Sequence, residues 1–87
     1  MKIHGPDEPV YTISVAARLL GVGAQTLRML EREGLVAPAR TENNIRLYSE
    51  NDLRTLQRIL ELCRQGINLA GIRVILEMEK KEHAGKK

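Results

Sequence analysis

Gln25, Arg28 and Arg32 stand three and four residues apart, so a helix through them would hold one amide and two guanidinium groups on a single side. Thr26 adds a hydroxyl next to Gln25. Such groups give and take hydrogen bonds but have no partner that would make them nucleophiles or bases. Gln25 can offer a donor and an acceptor to adenine, and Arg28 can reach guanine or phosphate. The chemistry favours recognition of DNA, with a merely solvated arginine-rich face as the alternative. Farther along, Arg46 and Tyr48 are two residues apart and project from one face of any strand, with Ile45 and Leu47 on the other. That strand would present an arginine and a phenol together. The competing role for Arg28 is a surface ion pair with Glu31, and for Tyr48 a place over a core poor in aromatics.

Catalysis has little to build on. No histidine lies between His4 and His83, and there is no glycine-rich phosphate loop, no serine or cysteine with a plausible base, and no paired carboxylates at an acid/base spacing. Cys63 falls in register with Leu53, Leu56 and Leu60 and reads as a small core hydrophobe. The expectation is no enzyme, no metal and no cofactor. With 87 residues the chain is one domain at most, and chains of about 60 residues bury only about 60% of their unfolded surface, so a large enclosed active site is not expected. No apolar run approaches the ~18 residues of a membrane span and no signal peptide is evident, which predicts a cytoplasmic protein away from membranes.

The net charge is +3, but its distribution says more. Between Val10 and Leu76 all nine basic residues are arginine, against six acids, and every lysine lies outside. Arginine's planar fork suits phosphate and guanine edges.

These side chains need a scaffold. Met1 to Pro9, with Gly5 and two prolines, predicts a loose arm. Ser14 is the expected N-cap of a first helix in which Val15, Ala16, Leu19 and Leu20 form the buried stripe, leaving Arg18 outside. Gly21–Val22–Gly23 is the turn of a helix-turn-helix, and Ala24 to Glu33 is its second helix, held down by Leu27 and Leu30 and ended by Gly34. Arg40–Thr41 and Ile45 to Tyr48 predict two short strands joined through Asn43–Asn44. Ser49 caps a third helix bearing Leu53, Leu56, Ile59, Leu60 and Cys63, and Gly66 closes it. Asn68 caps a fourth with Leu69, Ile72, Ile75 and Leu76, after which Glu77 to Lys87 is a mixed-charge tail expected to fray. The fold class is mainly α, a winged helix-turn-helix of four helices with a two-stranded β-wing.

The order Tyr11 to Ala17, Gly21–Val22, Thr26–Leu27–Arg28, Glu31 to Val36, Pro38, Arg40–Thr41, Arg46 to Ser49 and Asp52–Leu53 resembles the MerR-type winged helix-turn-helix regulators over about residues 10 to 78. Ile13 to Ala17, Gln25 to Arg28 and Gly66 to Ile72 are most similar to the HspR-type heat-shock repressors. The resemblance implies a homodimer on an inverted repeat of double-stranded DNA in the bacterial nucleoid, repression of chaperone genes, and the DnaK chaperone as co-repressor. It also implies that Thr26 and Arg28 belong to the recognition helix and that Arg46 and Tyr48 belong to a phosphate-holding wing. Leu30 stands where the family commonly has tyrosine. The full candidate DNA-binding set is Ser14, Arg18, Gln25, Thr26, Arg28, Arg32, Arg40, Arg46 and Tyr48. A GlnR-like nitrogen regulator and an excisionase-like DNA-architectural protein are the alternatives.

Overall fold

A computed structural model of the chain describes residues 4–85, with side-chain burial described through Glu82. In order, the elements are β1 (Tyr11–Thr12), α1 (Ile13–Leu20), α2 (Ala24–Arg32), β2 (Ala39–Arg40), β3 (Arg46–Tyr48), α3 (Glu50–Arg64) and α4 (Leu69–Gly85). Internal contacts divide the chain after Gln57 into two units, so α3 begins in the first and ends in the second.

In the first unit the wing has three strands rather than two. β3 is central and antiparallel to both neighbours, with Tyr11 opposite Tyr48 and Thr12 opposite Leu47 on one side, and Ala39 opposite Leu47 and Arg40 opposite Arg46 on the other. Two residues are too few to show a period, which is why β1 is not legible in the sequence. Asn44 takes a left-handed backbone (φ 65) at the β2–β3 corner. There Asn44 N donates to Thr41 O at 2.8 Å, and Thr41 N donates to Ile45 O at 2.9 Å.

The extra strand also moves the start of α1. Thr12, extended by its pairing, is the N-cap and accepts from Val15 N at 3.4 Å, so Ser14 sits inside the first turn instead of capping it. Ala16 and Ala17 are the buried residues of α1. Leu19, expected in the core, lies roughly 110° around the helix from the midpoint of those alanines and is 61% exposed. Gly21 ends α1 in the left-handed region (φ 73), and Val22 N donates back to Ala17 O at 3.0 Å.

Leu27 and Leu30 of α2 are fully buried, with Leu35, Val36, Tyr48 and Leu56 also in the core of this unit. After α2, Gly34 (φ 78) allows Leu35 N to reach Leu30 O at 3.0 Å. Ser49 caps α3 as expected. Its hydroxyl accepts from Asp52 N at 3.0 Å, while Asp52 Oδ2 accepts from Ser49 N at 2.9 Å, a reciprocal box with aspartate in the usual glutamate place.

Residues 4–9 of the expected loose arm are tied to α3. Pro6 O accepts from Asn51 N at 3.0 Å, satisfying an amide that the first helical turn leaves orphaned, and Asp7 Oδ1 accepts from Asn51 Nδ2 at 2.5 Å. The His4 ring stands edge-on to Tyr11, centroids 6.3 Å apart. Residues 1–3 lie outside the described residues.

In the second unit Ile59, Leu60, Leu62 and Ile72 are buried. Cys63 is exposed instead, while its neighbour Leu62 is buried, and Gly66 (φ 88) follows α3. Asn68 Oδ1 accepts from Gly71 N at 2.8 Å, the expected cap. α4 runs on to Gly85 where fraying was expected. Arg58 on α3 binds Glu79 through Nη2 at 2.7 Å, and Glu77 stands four residues before Lys81, a favourable helical spacing. The side chain of His83 lies outside the described ones. No helix among the described residues is long and apolar enough to cross a membrane.

Candidate nucleic-acid interface

A cleft of about 290 Å³ opens between α2 and the wing, lined by Arg28, Glu31, Arg32, Arg40 and Arg46. Helical spacing explains half of it. With Leu27 and Leu30 buried, residues 28, 31 and 32 share the adjoining outward face of α2. Strand register explains the rest, since Arg40 and Arg46 are direct cross-strand partners.

Two guanidinium groups facing each other across a strand pair repel. Glu31 resolves this. Its Oε1 accepts from Arg46 Nε at 2.5 Å and its Oε2 from Arg40 Nη2 at 2.8 Å, so one carboxylate joins β2 and β3 to α2. Arg40 Nη1 also donates to Asn44 O and Oδ1 at 3.3 Å, which fixes the wing corner to the same group. The hydrogen bond from Arg46, followed by that from Arg40, holds the Glu31 carboxyl below its ordinary pKa, against the opposing effect of partial burial. The same bond raises the pKa of Arg46.

Because the folded-state value is lowered, this carboxylate contributes stability above the unfolded glutamate pKa of about 4.3, and the contribution is lost as pH falls through the lower folded value. In thermal melts the parent should exceed Glu31→Gln at neutral pH, and the gap should close in acid below about pH 4. A gap independent of pH would mean that the ion pairs do not stabilise the wing.

The other candidates divide. Arg18, Gln25, Arg28 and Arg32 are exposed, Thr26 is half-buried, and Ser14 is exposed on the first turn of α1. No ion pair joins Arg28 or Arg32 to an acid among the described residues, so Arg28 does not take Glu31 as its partner. Tyr48 departs from the expected presentation on the wing surface. It is completely buried, its Oη has no hydrogen-bond partner among the described residues, and burial pushes its pKa up. Arg46 and Tyr48 do alternate onto one face, but Arg46 reaches Glu31 on α2, so that face looks inward. In a chain without Phe or Trp, Tyr48 is the largest fully buried side chain.

Glu31 is the site residue missed by reading the sequence. The available signal was a single acid at i+3 from Arg28 and i−1 from Arg32, beside the Leu27/Leu30 stripe.

A helix-turn-helix followed by an arginine-bearing wing defines this unit as a winged helix-turn-helix module. The chain belongs to the MerR HTH family of regulatory proteins, whose pattern it matches over residues 11–79. It is 51% identical over 74 residues to a Streptomyces coelicolor protein that carries the name heat shock protein HspR, covering 84% of this chain and 49% of that one. It is 37% identical over 82 residues to the HTH-type transcriptional regulator GlnR of Bacillus anthracis, covering 94% of this chain and 64% of the relative. The chain thus spans about half the length of the first relative and just under two thirds of the second. Among solved structures it resembles HiNmlR, a MerR family regulator lacking the sensor domain and bound to promoter DNA, with a TM-score of 0.74 and 33% identity over 79% of this chain and 53% of that chain. A MerR family transcriptional regulator from Bacillus cereus superposes with a TM-score of 0.72 and 33% identity, covering 76% of this chain and 50% of the other.

Proposed function

We propose that the chain is a sequence-specific double-stranded-DNA-binding repressor of heat-shock and chaperone genes. It acts in the cytoplasm as a homodimer on an inverted repeat, without catalysis or a cofactor. The observation that carries the reading is the cleft in which α2 and the wing gather four arginines around one carboxylate. Such a surface can grip phosphate while the start of α2 reaches base edges. The 51% identity to a heat shock protein HspR supports the heat-shock assignment. In this reading DnaK is the co-repressor. The solved relative on promoter DNA supports the duplex as ligand.

In this reading Gln25, Thr26 and Arg28 read bases. Arg32, Arg40 and Arg46 hold phosphate, and Arg18 and Ser14 meet the backbone from α1. Tyr48 supports the wing from beneath rather than touching DNA, in keeping with its burial.

Selection of binding sites from random duplexes, followed by mass measurement of the complex, tests this directly. The expected product is an inverted repeat carrying two chains, with tighter binding when DnaK is added. A single direct site that is bent on binding would favour an architectural protein. Arg28→Ala should weaken binding to the selected site by about 1–3 kcal/mol and relax preference at the contacted position. Parent-like affinity would remove Arg28 from the interface.

The relation to GlnR over 94% of the chain carries a second reading, a nitrogen regulator. Transcript profiles of a deletion strain separate the two: chaperone genes rise in the first case, nitrogen-assimilation genes in the second.

A further inference from the structure

Two arginines paired across a strand are each a candidate phosphate ligand, yet both are bound to an acid that would itself repel phosphate. That cost needs a reason. A guanidinium on a flexible stem gives up rotamer freedom when it is held in place. Glu31 takes Nε of Arg46 and Nη2 of Arg40, and Asn44 takes Nη1 of Arg40. Both side chains are thereby fixed relative to α2 before any ligand arrives. The bonds are economical in donors: Nη1 and Nη2 of Arg46 and Nε of Arg40 are not used by these contacts, so a phosphate can add to them without displacing Glu31. Arg28 and Arg32 line the same cleft from α2.

We propose that Glu31 is a specificity-determining positioning residue, which fixes Arg40 and Arg46 at one distance from the recognition helix and opposes phosphate contacts made in any other register. The inference rests on the DNA-binding reading above. On the cognate duplex, phosphates meet preset donors while α2 reaches its bases, so holding the arginines in place outweighs the repulsion. On an unrelated duplex α2 gains nothing from base edges, and the carboxylate's repulsion remains. Glu31 therefore separates the two affinities rather than raising both.

The test compares parent, Glu31→Gln and Glu31→Asp on the duplex selected by the parent and on a scrambled duplex of equal length, at several salt concentrations. Circular dichroism confirms that each is folded. Glu31→Gln should bind the scrambled duplex about fivefold more tightly, the weight of one unit charge at roughly 4–5 Å in water. It should bind the selected duplex no better than the parent, so the ratio of the two affinities falls by about fivefold or more. Its salt dependence on the scrambled duplex should steepen. Glu31→Asp keeps the charge but shortens the reach by one methylene, and should leave scrambled binding parent-like while weakening the selected complex.

A purely structural role would weaken both duplexes equally in both variants, leaving the ratio unchanged, and that outcome overturns the proposal. So does a Glu31→Asp that matches Glu31→Gln on the scrambled duplex. If the parent itself shows no salt-dependent binding to either duplex, the DNA reading fails and the positioning role falls with it. If the parent binds and only the ratio is unmoved, the positioning role alone is lost.

Discussion

Binding to the selected duplex should fall by about 10³ to 10⁵ between 50 and 200 mM salt if a dimer neutralises roughly 6–10 phosphates. The cleft supplies the reason. Arg28, Arg32, Arg40 and Arg46 line one opening, with Glu31 as the single acid on its wall. Four cations against one anion leave a local charge of +3 per chain, large beside the net +3 of the whole sequence. Each phosphate neutralised releases condensed counterions, so the logarithm of affinity should be linear in the logarithm of salt. Titration by fluorescence anisotropy at four or more salt concentrations measures the slope. A nearly flat dependence would remove phosphate contact as the basis of binding, and with it the functional assignment of the cleft.

Replacing Tyr48 should act on the fold before it acts on DNA. Tyr48→Ala removes the largest fully buried side chain and leaves a cavity, at a cost of about 3–5 kcal/mol. Small domains are stable by about 5–15 kcal/mol in total, and 1 kcal/mol moves Tm by roughly 4–8 °C at this size, so the variant should melt far below the parent or fail to fold.

Tyr48→Phe is the informative partner. The phenol oxygen is buried with no hydrogen-bond partner among the described residues, so deleting it removes a desolvated group without breaking a bond. Its Tm should hold or rise, and DNA affinity should stay at the parent value. If Tyr48→Phe keeps its stability but binds DNA several-fold more weakly, the hydroxyl reaches phosphate and Tyr48 returns to the interface.

What could be read from the chain in advance follows from the range of the forces involved. The spacing of Leu27 and Leu30, the glycines at 21, 34 and 66, and Ser49 and Asn68 as caps each depend on neighbours within about four residues, and each has the expected place. β1 and the capping role of Thr12 depend on a partner strand more than thirty residues away, and were not legible. Period alone places Leu19 and Cys63 in the core, yet both are exposed. A helical period says that two residues share a face, but not how wide a stripe the neighbouring elements cover.

By itself the sequence determined the helix-turn-helix, the outward set Gln25, Arg28 and Arg32, and the presence of arginines on the wing, because residue type and local spacing suffice for these. Only the tertiary structure decided that Tyr48 is core and that Glu31 holds Arg40 and Arg46. Strand alternation puts residues 46 and 48 on one face without saying whether that face meets water or α2. A carboxylate finds its partners through space, here nine and fifteen residues away in the chain, where no sequence period reaches.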